Sequence, residues 1–164
     1  MRLFIALLLN EEMRRAIGDV QRELKRRGVQ GRYSKPENLH LTLAFIGEYP
    51  DADAAQQCID AAAFRPLSLR LEGIGAFGDT WWLGLTANPQ LDACVRRLRR
   101  ELGAAGIPFD RKRFAPHITL LRRAVAPETG MPGIEVPHAE MRADHISLMR
   151  SDRSRDGMIY TEIG

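Results

Sequence analysis

The sequence predicts an α+β fold, a bilobal single domain over residues 1–164. Two pseudo-symmetric, intertwined lobes would place antiparallel sheets along a central cleft and helices on the outside. Three observations point there. With 164 residues, 45% hydrophobic and 27% charged, the chain suits one compact domain with its own core. Its apolar spacing switches between the period of a strand and that of a helix, with hairpin signals among the strands. The order strand, amphipathic helix, strand bearing His-x-Thr occurs twice: Leu3–Leu9, Glu11–Gly28 and Leu39–Ile46 are matched by Thr80–Thr86, Pro89–Gly103 and His117–Leu121.

In the first half, Leu3, Ile5 and Leu7 to Leu9 form the apolar run of a buried strand. Asn10 offers a side-chain cap to a helix whose first turn holds Glu11 and Glu12, where negative charge meets the positive end of the helix dipole. Met13, Ile17, Val20 and Leu24 recur at helical spacing and make its buried stripe; the arginines and Lys25 between them make a solvated face. A loop with Gly31, Tyr33 and Pro36 follows. Strict alternation then points Leu39, Leu41, Leu43 and Phe45 to the core and His40, Thr42 and Ala44 to the other face. Asp51–Ala63 is an alanine-rich helix with an acidic cap.

Pro66 separates that helix from the alternating strand Leu67, Leu69, Leu71. Gly73, Gly75 and Gly78 join strand to strand and open no helix, so they mark a hairpin rather than a phosphate-cradling loop. The returning strand puts Trp81 and Trp82 on opposite faces as packing residues. Asn88-Pro89 starts a helix carrying Leu91, Cys94, Val95, Leu98 and Leu102. A basic turn, Arg111 to Arg113, leads to the strand His117–Leu121, with His117, Thr119 and Leu121 on one face. Pro127, Pro132 and Pro137 make a loop, and two late strands, His145–Met149 and Met158–Ile163, flank a turn at Ser151–Gly157.

Composition narrows the class further. The longest apolar run, Leu3 to Leu9, is too short to span a bilayer and lacks the features of a secretory leader, so a cytoplasmic protein with no membrane anchor is expected. Cys58 and Cys94 stand alone, without metal-ligand spacing, and are expected as small core residues. The net charge of +3, carried mostly by arginine, favours weak attraction to polyanions. A monomer is expected, since no surplus apolar helix face stands out.

The chemistry sits in His40-Leu41-Thr42-Leu43 and His117-Ile118-Thr119-Leu120, one copy in each repeated unit. On a strand, residues i and i+2 project to the same face about 6–7 Å apart, so each copy presents an imidazole beside a hydroxyl while its apolar residues anchor in the core. One such pair would ordinarily be a hydrogen-bonded structural histidine. Two, facing each other across a pseudo-twofold axis, form an acid–base pair: one neutral imidazole accepts a proton while the other, protonated, donates one. Threonine hydroxyls and imidazolium N–H groups can hold the oxygens of a phosphate as charge gathers on them. No acidic cluster for Mg²⁺ and no nucleophile motif accompanies them.

These motifs, with Met1-Arg2-Leu3-Phe4-Ile5-Ala6, Pro36-Glu37-Asn38-Leu39 before the first, Phe45-Ile46-Gly47-Glu48 after it, Arg113-Phe114-Ala115-Pro116 before the second and the late Gly157-Met158-Ile159-Tyr160, give a sequence that resembles the 2H phosphoesterase superfamily. Within it the chain is similar to the RNA 2′,3′-cyclic phosphodiesterase family, also called 2′-5′ RNA ligase-like. The resemblance implies that water opens a terminal 2′,3′-cyclic phosphate to a 2′-phosphomonoester without metal or other cofactor. It also implies that His40 is the proton donor and His117 the acceptor, that Thr42 and Thr119 assist, and that Arg122 approaches the phosphate. Symmetry of the motifs leaves the two histidines interchangeable on residue chemistry alone. Phe45, placed in the core by alternation, is the candidate to stack on the terminal base. Arg113 and Arg123 read as solvated surface, and His138 and His145 as structural or surface residues. The family often has Trp-Val where this chain has Tyr33-Ser34.

The expected partner is therefore an RNA or nucleotide ending in a 2′,3′-cyclic phosphate. A 2′-5′ RNA ligase, running the same proton transfers backwards, and a non-catalytic RNA-end-binding module are the alternatives.

Overall fold

A computed structural model describes all 164 residues. The elements in chain order are β1 (Arg2–Leu8), α1 (Glu11–Arg26), β2 (Gln30–Tyr33), a 3₁₀ turn (Pro36–Asn38), β3 (His40–Glu48), α2 (Ala52–Ala61), β4 (Leu67–Phe77), β5 (Thr80–Leu85), α3 (Pro89–Ala104), β6 (His117–Val125), β7 (Glu140–Ala143), β8 (Ser147–Ser154) and β9 (Gly157–Glu162). They form two sheets, β3-β1-β8-β9 and β2-β6-β5-β4-β7. Every strand pairing is antiparallel.

The α+β class and the duplication hold: β1 pairs with β3 as β5 pairs with β6, and each pair brackets one long helix. Asn10, Asp51 and Asn88 cap their helices, each side chain accepting from a backbone N–H three residues on. The lobes are interwoven. The Gln21 amide of α1 donates to the Leu120 carbonyl of β6 at 2.9 Å, whereas α3 lies against β3 and α2 against β8. One apolar core joins both sheets and takes in the buried stripe of α1, Met13, Ile17, Val20 and Leu24. Cys58 and Cys94 are free and buried within the helices α2 and α3.

Several boundaries differ from the sequence expectation. β2 lies where a loop was expected, because Gln30, Gly31 and Arg32 carry no apolar alternation; pairing with β6 rather than burial makes it a strand. β7, after the proline-rich loop, buries only Met141 and Ala143, too short a signal to read. The last hairpin is longer than the turn Ser151–Gly157 implied: β8 runs through Asp152 and Arg153 to Ser154, its polar outer residues hiding the strand.

Candidate active site

The two His-x-Thr motifs open β3 and β6, which touch across the seam between the sheets. His40 and Thr42 face Leu8 and Ala6 of β1; His117 and Thr119 face Gly84 and Trp82 of β5. In both motifs the residues between and after these turn inward: Leu41, Leu43, Ile118 and Leu120 are buried.

Strict alternation fails three residues past each histidine. β3 carries an extra residue between Thr42 and Ala44 relative to β1, and β6 an extra residue between Thr119 and Leu121 relative to β5. A bulge of this kind re-aims every later side chain. In β3, Ala44 turns into the core and Phe45 turns out, opposite Phe4, on the face of His40; the expected placing of these two residues is thereby reversed. In β6, Leu121 joins the core instead of the His117 face, and Arg122 takes the place beside Thr119.

The histidines are held alike. His40 Nδ1 lies 2.7 Å from the Asn38 carbonyl and His117 Nδ1 2.7 Å from the Ala115 carbonyl. A carbonyl only accepts, so Nδ1 carries the hydrogen in each ring and Nε2 is left for chemistry. His40 Nε2 is 2.9 Å from Thr42 Oγ1. Each ring also has aromatic walls. Phe4 and Tyr160 lie 5.0 and 5.2 Å from His40, Tyr160 edge-on. Phe77 and Trp82 lie 5.1 and 6.1 Å from His117, Phe77 edge-on. Trp82 fits because Gly75 lies under it; a Cβ there would collide with the ring. Phe77 is half exposed.

Burial among these rings pushes the His40 pKa down, and the positive charges of Arg122 and His117 push it further; the Asn38 carbonyl opposes them. Both residues from the other lobe are thus within electrostatic reach of His40.

An open cleft of about 720 Å³ runs past His40, Thr119 and Arg122. Its walls come from β2 and the following loop on one side and the β8–β9 hairpin on the other, and Asp156 is their one carboxylate. No three His, Cys, Asp or Glu side chains gather as a metal-holding group. His117, Thr42 and Phe45 are not part of these walls. Phe45 packs by Phe4, Ala6 and Met149, with the Arg2 guanidinium over its ring at 4.9 Å. Arg123, expected as plain surface, lines the cleft in a left-handed backbone conformation, φ 53°. Arg113 is exposed and outside it; His145 is exposed and paired with Asp144. Trp81 is buried and Trp82 lies beside His117, on the other face of β5.

The aromatic walls were missed in the sequence, apart from Tyr160 within the late Gly-Met-Ile-Tyr stretch. Gly75 in the neighbouring strand β4 and Gly84 two residues along β5, both against the Trp82 ring, were the available signal.

A model of the 2′-5′ RNA ligase superfamily matches residues 11–155. An RNA 2′,3′-cyclic phosphodiesterase of Thermotoga maritima is 31% identical over 98% of this chain and 91% of its own. Among solved structures, TT0787 of Thermus thermophilus superposes with a TM-score of 0.82 at 31% identity, covering 100% of this chain and 96% of its own. E. coli LigT complexed with 3′-AMP superposes with a TM-score of 0.78 at 29% identity, covering 99% and 94%. No helix of the chain is long and apolar enough to cross a membrane.

Proposed function

The chain belongs to the 2′-5′ RNA ligase superfamily, and on that premise we propose that it is an RNA 2′,3′-cyclic phosphodiesterase working by two-histidine acid–base catalysis without a metal ion. The observation that carries the proposal is the matched pair of imidazoles, each fixed through Nδ1 by a carbonyl two residues upstream and each left with Nε2 for proton transfer.

In the proposed reaction the Nε2 of His117 takes a proton from water, whose oxygen attacks the phosphorus. The bond from phosphorus to O3′ breaks, and His40 gives its Nε2 proton to the departing oxygen, leaving a 2′-phosphomonoester and a free 3′-hydroxyl. Arg122, Thr119 and Thr42 hold the non-bridging oxygens. Free His40 favours the neutral form because it is buried and lies within reach of the positive Arg122. The anionic substrate offsets that charge, so binding the phosphate favours the protonated donor the step needs. Superfamily membership and the relatives' names support the reaction class; the roles of the individual residues are part of the proposal, as is action as a cytoplasmic monomer. Phe45 is kept as a base-stacking group, reached when Arg2 leaves its ring.

Adenosine 2′,3′-cyclic phosphate incubated with the protein in EDTA, with the product isomer read by phosphorus NMR, tests this. The expected product is adenosine 2′-phosphate alone. A 3′-phosphate, or turnover only after a divalent ion is added, would reject the mechanism. RNA halves joined through a 2′-5′ linkage without hydrolysis would favour the ligase.

A further inference from the structure

Arg122 and Arg123 are consecutive residues of β6, yet both line the cleft. Neighbours on a regular strand face opposite sides of the sheet. The pairing with β2 accounts for the difference: Arg122 lies opposite Arg32 and Val125 opposite Gln30, so Arg123 and Ala124 together oppose the single residue Gly31. β6 thus carries a second bulge, soon after the one that aims Arg122. Its first residue, Arg123, has φ 53°, in the left-handed region. A bulge of that form ordinarily takes glycine there, because a Cβ crowds the backbone in this conformation.

The surroundings impose the strain. The Ala124 N–H donates to the Asp79 carbonyl, in the turn between β4 and β5, at 2.9 Å. Gly31 lets β2 close over the extra residue; a Cβ on it would lie 2.9 Å from the Arg122 carbonyl oxygen and 3.1 Å from the Ala124 Cα. The Arg123 side chain itself makes no hydrogen bond or ion pair in the protein. The cleft's one carboxylate, Asp156, belongs to the β8–β9 turn and is ion-paired with neither arginine. Strain that no bond of the side chain offsets points to a task in the cleft.

We infer that Arg123 is a second phosphate-holding arginine, whose partner is the negative charge that hydrolysis adds to the phosphate. The inference rests on the phosphodiesterase reading and adds a residue to it. The cyclic diester carries one negative charge. Once His117 has taken the water proton and before His40 has released its own, the five-coordinate phosphorus group carries two. The 2′-phosphomonoester forms with one proton on its phosphate, loses it to solvent because its second pKa is about 6, and keeps two charges at neutral pH. Arg122 matches the charge of the substrate, and Arg123 beside it matches the charge gained, so the pair holds transition state and product more tightly than substrate.

Calorimetry at about pH 7.5, above the monoester's second pKa of about 6, compares adenosine 2′-phosphate, doubly charged there, with its singly charged methyl ester. Wild-type protein is expected to bind the doubly charged ligand about tenfold more tightly, the size of one charge-assisted contact, and Arg123→Gln to lose most of that preference. Arg123→Lys, which keeps the charge, should keep part of it. On adenosine 2′,3′-cyclic phosphate the single-turnover rate at saturation should fall about tenfold in Arg123→Gln, with half-saturation held within about a factor of three. Arg123→Gly should match Arg123→Gln in both readings yet unfold at a higher urea midpoint, because glycine adopts the left-handed conformation without strain. No preference for the doubly charged ligand in the wild type, a preference that survives Arg123→Gln, or a glycine variant no more stable than the glutamine one would overturn the inference. Wild-type protein that leaves the cyclic phosphate intact would reject the phosphodiesterase reading, a result separate from the two affinities.

Discussion

Phe45 and Arg122 occupy the same position in the two halves of the chain. Each lies five residues past its motif histidine, and each is turned out of the core by a bulge that begins three residues past that histidine. The backbone of the site is duplicated down to this irregularity, while the chemistry at the repeated position has diverged into an aromatic ring and a cation. That divergence breaks the equivalence of the two imidazoles, since Arg122 acts electrostatically on His40.

Replacing Arg122 by Gln should therefore raise the His40 pKa in the free protein, besides lowering kcat/KM. The pH profile of kcat/KM reports groups of the free enzyme. His40 governs one limb of that profile, and that limb should move to higher pH in the variant. A profile with both limbs unmoved would show that Arg122 does not act on His40.

His40→Ala and His117→Ala should each lower kcat by about 10²- to 10⁴-fold, the usual worth of a general acid or base, with unfolding curves close to wild type. Thr42→Val and Thr119→Val should lose less. Steady-state kinetics beside urea denaturation reads both, and wild-type turnover in either histidine variant would contradict the account.

His40 also makes stability depend on pH. Its pKa is lowered on folding, chiefly by burial, so the unfolded chain binds more protons than the native one between the depressed value and the ordinary value of about 6.5. Stability is then full above that ordinary value and falls as pH drops toward the depressed one. Urea midpoints measured across this range should show the slope in wild type, and His40→Gln should flatten it.

Gln21 is buried in α1 and donates one amide hydrogen to the Ser34 carbonyl at 3.0 Å and the other to Leu120 at 2.9 Å, the residue at the β6 bulge. Gln21→Met keeps the volume but leaves the pull on that bulge unmade. A loss of about 1–3 kcal/mol in stability is expected. Because the bulge aims Arg122, kcat/KM should fall as well, and should fall little further in the double variant with Arg122→Gln. Additive losses would show that Gln21 only supports the fold.

The sequence disclosed the repeated unit, the helix caps and the His-x-Thr faces because each is a local pattern: one period, one capping residue, one i to i+2 spacing. What it concealed depends on pairing between distant strands. The bulges exchange the faces of Ala44 and Phe45 and lift Arg122 beside Thr119, yet an extra residue in a strand leaves no mark in the alternation around it. β2 is polar and exists through its hydrogen bonds to β6. The walls of His117 come from Phe77 and Trp82, residues about forty positions earlier, and only the hairpin register brings them there.

The claim on which the rest depends is that two imidazoles from the two lobes serve one phosphorus. A crystal structure with a nucleoside 2′,3′-cyclic vanadate, which mimics five-coordinate phosphorus, addresses it directly. The expected result is His40 Nε2 and His117 Nε2 each within hydrogen-bond distance of an opposite apical oxygen, with Arg122 on an equatorial one. Vanadium seated with only one of the two rings in reach would contradict it.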